Sequence, residues 1–100
     1  MPRLDVYRLR DGGRILVVDV QAELLASLET RMVAPLIMAS ATAAPIKGLN
    51  PVFSIEGRDY VMLTQQMGAI PRRQLGRPVL SLAAEHNTIT QALDQLLVGF

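Results

Sequence analysis

At 100 residues the chain is one domain's worth of sequence, half of it hydrophobic, with four aromatic residues and no tryptophan. Ten basic side chains against nine acidic ones leave a net charge near +1, which gives no electrostatic footprint for autonomous nucleic-acid binding. With no cysteine there can be no disulfide framework and no thiolate metal site.

A core on this composition must be built from Leu, Val, Ile, Met and Ala. So much apolar surface on so small a body favours a homodimer. The N-terminal Met1-Pro2-Arg3-Leu4-Asp5 lacks the apolar stretch of a signal peptide. No apolar run approaches the roughly 18 residues of a membrane span, so a single cytoplasmic domain over residues 1–100 is expected.

In chain order, Leu4 to Arg10 alternates loosely and suits a strand. Asp11-Gly12-Gly13 supplies residues that tolerate positive φ, a hairpin signal. The return run Arg14 to Val20 is almost continuously apolar and β-branched, the pattern of a strand covered on both faces. Asp19 is its one internal charge and needs a partner there. Arg31 to Met38 reads as a third strand, with Pro35 at an edge or a bulge because it cannot donate to a ladder. Ala39 to Leu49 is a loop with room for a helical turn.

Pro51 to Ile55 and Tyr60 to Thr64 make a second hairpin around Glu56-Gly57-Arg58-Asp59. Gly68, Pro71, Gly76 and Pro78 divide the next stretch into short extended pieces. From Ser81 onward Leu82, His86, Ile89, Leu93, Leu96 and Phe100 recur at helical spacing on one face. Ser81 is placed to cap that helix and Gly99 to stop it. The expected architecture is five or more mostly antiparallel strands followed by one C-terminal helix.

The familiar catalytic patterns are missing. No serine sits in a Gly-x-Ser-x-Gly turn, and there is no phosphate-binding glycine loop. One histidine without cysteine excludes the usual zinc sets. His86 on the apolar face reads as a packed or interface residue. Glu23 with Glu29, and Glu56 with Asp59, read as solvated charges beside turns. Arg72, Arg73 and Arg77 form the one basic cluster, read as a solvated loop that could also meet a phosphate or an acidic partner. Neither a catalytic residue nor a cofactor nor a metal is expected. The apolar end, Leu96-Leu97-Val98-Gly99-Phe100, has either to pack within the fold or dimer or to meet a partner.

Several strings in order resemble the CcdB family of toxins from bacterial toxin–antitoxin modules. They are Val18-Asp19-Val20-Gln21 leading to Leu24-Leu25, Arg31-Met32-Val33-Ala34-Pro35-Leu36, and Pro51-Val52-Phe53-Ser54-Ile55. Met62-Leu63-Thr64 with Met67, Ile70 and Pro71 follows, and then the helix ending in Leu97-Val98-Gly99-Phe100. The resemblance implies a homodimer of SH3-like, partly open antiparallel β-barrels of the CcdB, Kid and MazF type, each with a C-terminal helix. It implies a protein that is not an enzyme and that traps the A subunit of DNA gyrase on cleaved DNA. The gyrase-contacting residues map to Val98, Gly99 and Phe100. A neutralising antitoxin is implied to bind around Arg8, Arg14, Leu24, Leu25 and Asp94, and to carry the element that reads operator DNA in the joint, autorepressing complex. The chain departs from familiar members in having Val98 before the glycine and Phe100 at the end. Two alternatives stand beside this reading: an endoribonuclease of the Kid and MazF type using arginines such as Arg31 with His86, and a degenerate homologue that still binds antitoxin.

Overall fold

The computed structural model describes residues 3–10 and 15–99. The Asp11-Gly12-Gly13 turn, Arg14 and Phe100 therefore lie outside the described residues. Seven strands form one antiparallel sheet: β1 (Asp5–Leu9), β2 (Leu16–Asp19), β3 (Thr30–Met38), β4 (Val52–Ile55), β5 (Arg58–Met62), β6 (Gly68–Pro71) and β7 (Leu75–Ser81). Their order is β4-β5-β3-β2-β1-β7, with β6 also paired to β3. The sheet curls into a half-barrel, and the helix α1 (His86–Leu97) packs against it.

Alternation along the strands gives the sheet two buried faces. Leu4, Val6, Leu16, Val18, Ala34 and Leu36 lie on one, with Phe53, Ile55 and Met62, beneath Ile89 and Ala92 of the helix. Tyr7, Val17, Val33 and Leu75 make a smaller cluster on the other, flanked by Leu9 and Ile70. All four residues of β2 are buried, as a strand covered on both faces requires. Burying each large aliphatic side chain is worth about 1.5–3 kcal/mol, so these two clusters carry most of the stability.

Pro35 sits in the middle of a central strand, opposite Val17, and not at a sheet edge. The physical reason it is tolerated lies on its other side. β6 pairs with β3 only as far as Val33, and β5 takes over at Leu36. Pro35 falls in the junction, where its carbonyl accepts from the Leu63 N–H at 2.9 Å and no donor is required.

The second hairpin is tighter than the sequence suggested. Ile55 pairs with Arg58, so the loop is only Glu56-Gly57, and both residues have positive φ (53° and 80°). That combination matches the right-handed twist of the flanking strands. On the far side, β7 follows β1 with two register shifts, and Gly76 is pressed onto the β1 backbone. A Cβ at Gly76 would lie 2.6 Å from the Arg8 carbonyl oxygen. Gly76→Ala is therefore expected to cost about 1–3 kcal/mol, the usual range for overpacking, readable as a lowered urea midpoint with an unchanged slope.

The C-terminal element also begins differently from expectation. Ser81 accepts the Ala83 N–H at 3.1 Å from just ahead of a 3-10 turn, Ala83–Glu85, whose N-cap position is Leu82, while α1 starts only at His86, and neither element has a side-chain bond from its N-cap residue. Glu85, at φ −101° and ψ 21°, breaks the helical phase. Leu82, Ile89 and Leu93 still turn inward, but His86 is exposed and Leu96 partly so. Gly99, at φ 98°, ends the helix as expected, its N–H reaching the Asp94 carbonyl at 2.9 Å.

Candidate functional site

The partner that Asp19 requires is Arg31, twelve residues on and diagonally across the β2–β3 pair, two residues before Val33, which stands opposite Asp19. Both side chains have no solvent exposure. The Arg31 Nε donates to Asp19 Oδ2 at 3.0 Å, Nη2 bonds the same oxygen, and Nη1 has no partner. Asp19 Oδ1 accepts the Gln21 N–H at 3.0 Å. Gln21 in turn accepts the Met32 N–H at 2.9 Å and donates to the Leu25 carbonyl at 2.9 Å. The ion pair is thus the root of a network that holds the 3-10 turn Glu23–Leu25 in place. The sequence marks Asp19 as needing a partner but does not join it to Arg31 or Gln21; a lone charge in each of two neighbouring apolar strands was the available signal.

That turn presents apolar side chains to solvent. Leu24 is 92% exposed, and Leu25 and Leu28 are each 46% exposed. A second apolar surface lies at the end of α1, where Leu97 is 67% and Val98 61% exposed. Nothing lies within 4 Å of the position a Cβ would take at Gly99. The interior therefore does not absorb this end of the helix.

A third feature is an open groove of about 780 Å³ between β1, β3 and the β4–β5 hairpin. Ile15, Leu36, Met38 and Tyr60 line it, and Arg8 meets Glu56 at 2.8 Å across its mouth. Both partners of that pair are about half exposed, so it adds little stability. Register alone brings Tyr60 and Glu56 opposite Arg8, which is why the sequence did not reveal the groove.

The expected antitoxin residues thus fall on three elements. Arg8 is in the groove, Leu24 and Leu25 are on the 23–25 turn, and Asp94 is exposed on α1; no hydrogen bond joins the three places among the described residues. Glu23 accepts the Arg3 N–H, and Glu29 and Asp59 are exposed with no side-chain ion pair among the described residues. Among the described residues the side-chain hydrogen bond of His86 is to the adjacent Asn87, at 3.4 Å, and Arg31 is sealed inside the sheet. No cluster of three or more potential metal ligands occurs among the described residues, and no helix there is long and apolar enough to cross a membrane.

Tyr7 lies close enough to the buried pair to feel its charges. Its pKa is raised above 10.0, chiefly by burial and then by the charges of Asp5 and Asp19, against a smaller opposing effect of Arg31. The unfolded chain therefore loses this proton first. Stability contributed by the neutral phenol is present below pH 10 and is lost as pH climbs through the raised value. Urea unfolding of the protein and of Tyr7→Phe should diverge in pH dependence above pH 10, with the variant losing less stability.

The structure is similar to that of the Mycobacterium tuberculosis toxin MazF-mt6, with a TM-score of 0.76 over 92% of this chain and 94% of that one, at 15% identity. At this identity the likeness speaks for the fold. The family described as CcdB protein matches residues 3–99, and the chain belongs to the CcdB family. It is accordingly a toxin of a toxin–antitoxin module.

Proposed function

We propose that this toxin acts as a homodimer that poisons DNA gyrase, holding the A subunit on cleaved DNA through Val98, Gly99 and Phe100. The observation that carries this reading is the exposed apolar end of α1, Leu97 and Val98, followed by Gly99 in open space. An apolar end that contributes nothing to its own core is suited to contact with a partner. It is not an enzyme on this reading: the protein supplies shape and apolar contact, and the chemistry of strand cleavage belongs to gyrase.

A cognate antitoxin neutralises it and joins it in a complex that represses their operon. The groove at Arg8 suits a segment of that partner, since an apolar floor of Leu36, Met38 and Tyr60 lies beside the charged Arg8 and Glu56. A segment that orders on binding would gain apolar burial in the groove and could extend to Leu24, Leu25 and Asp94.

The test is to incubate purified toxin with gyrase and supercoiled DNA. Linear DNA that requires both proteins supports poisoning. Growth arrest on expression without that product overturns it. Addition of the antitoxin should abolish the linear product.

A further inference from the structure

We propose that the end of β1, the 72–74 turn and the start of β7 form a surface that contacts the phosphate backbone of a nucleic acid. This inference does not rest on gyrase poisoning and concerns a different face of the molecule. Arg10, Arg73 and Arg77 are all exposed there. The fold holds Arg10 beside the stretch of chain that runs from Arg73 to Arg77: the Arg10 N–H bonds the Gln74 carbonyl at 2.9 Å, and its Nε bonds the Leu75 carbonyl at 3.2 Å. Gly76 leaves room for the Arg10 stem, whose Cγ lies 3.7 Å from where a Cβ would be.

Arg8 and Arg31 are neutralised by Glu56 and Asp19. Among the described residues no carboxylate forms an ion pair with Arg10, Arg73 or Arg77. A net charge near +1 for the whole chain is compatible with such a local cluster of cations. Arg72 spends its Nη1 on the Ala26 carbonyl at 3.1 Å, as Arg10 spends its Nε on Leu75, and like Arg10 it is exposed and forms no ion pair among the described residues.

Two anionic partners fit such a face, and the backbone distinguishes them. An acidic peptide would gain most by adding a strand to the free edge of β7. That edge is a poor template: Pro78 has no N–H, and the strand is twice bulged against β1. Contact must then come from side chains alone. Guanidinium forks suit this, because they grip phosphate oxygens two at a time without help from the main chain. About three such contacts are too few for tight binding alone, but they add affinity when another chain already holds the toxin on the duplex.

The experiment measures binding of the full-length toxin to a fluorescent 20-base-pair duplex of random sequence by anisotropy, from low to moderate sodium chloride. Each phosphate contact contributes about 0.9 to the slope of log Kobs against log salt. A slope of about −2 to −3 is expected, falling by about 2 in Arg73→Gln/Arg77→Gln with the thermal melt unchanged. A wild-type slope near zero, or a slope untouched by the double variant, would overturn the proposal. So would polyglutamate binding that depends on these arginines without any duplex binding, which would assign the face to an acidic protein.

Discussion

Arg31→Leu is expected to lower the free energy of unfolding by about 3–5 kcal/mol, the usual cost of removing one partner from a buried ion pair. Asp19 would be left charged and sealed between β2 and β3, with only the Gln21 N–H to solvate it. At about 4–8 °C per kcal/mol for a domain of this size, the melting temperature should fall by more than about 12 °C. Circular dichroism melts check this directly. The double variant Asp19→Leu/Arg31→Met, which removes both charges and keeps apolar volume, should recover most of the loss. If the single and double variants melt alike, the charges themselves are not what the site requires. Loss of function in an Arg31 variant must accordingly be read against its stability before any chemical role is assigned.

Deleting residues 98–100 is expected to have the opposite signature: complete loss of gyrase-dependent cleavage with little loss of stability. Val98 is 61% exposed, and Val98 and Gly99 each donate a backbone hydrogen bond to the Asp94 carbonyl. Fraying that final turn should cost about 1 kcal/mol or less, within the range of a helix cap. The checks are the cleavage assay and growth on expression, with a thermal melt on the same sample. A truncated protein that no longer folds would show that the tail has a packing role. A folded truncation that still linearises DNA would move the gyrase contact elsewhere. Leu24→Asp on the 23–25 turn gives a milder comparison, because its side chain is 92% exposed and supports nothing in the fold.

Much of the architecture follows from short-range pattern. The almost continuously apolar run of β2 demanded cover on both faces, and it has it. The spacing of Leu82, Ile89 and Leu93 placed one helix face on the sheet, and Gly99 ended that helix by adopting the left-handed backbone that other residues avoid. Asp19 could be recognised as a buried charge in want of a partner because a charge in such a run is costly wherever the strand packs. The family resemblance likewise lay in local strings, which needed no knowledge of contacts.

What the pattern could not supply were the pairings between distant segments. Strand register chose Arg31 for Asp19, put Pro35 in the gap between β5 and β6, and brought Tyr60 and Glu56 to Arg8. The 3-10 turn before α1 shifted the helical phase and moved His86 from the expected apolar face to solvent. Arg10 reached the backbone of Gln74 and Leu75 only through the β1–β7 contact. Periodicity reports which side of its own element a residue occupies. Which residues then face one another depends on the sheet closing as a whole, since register is set by all the strands packing together.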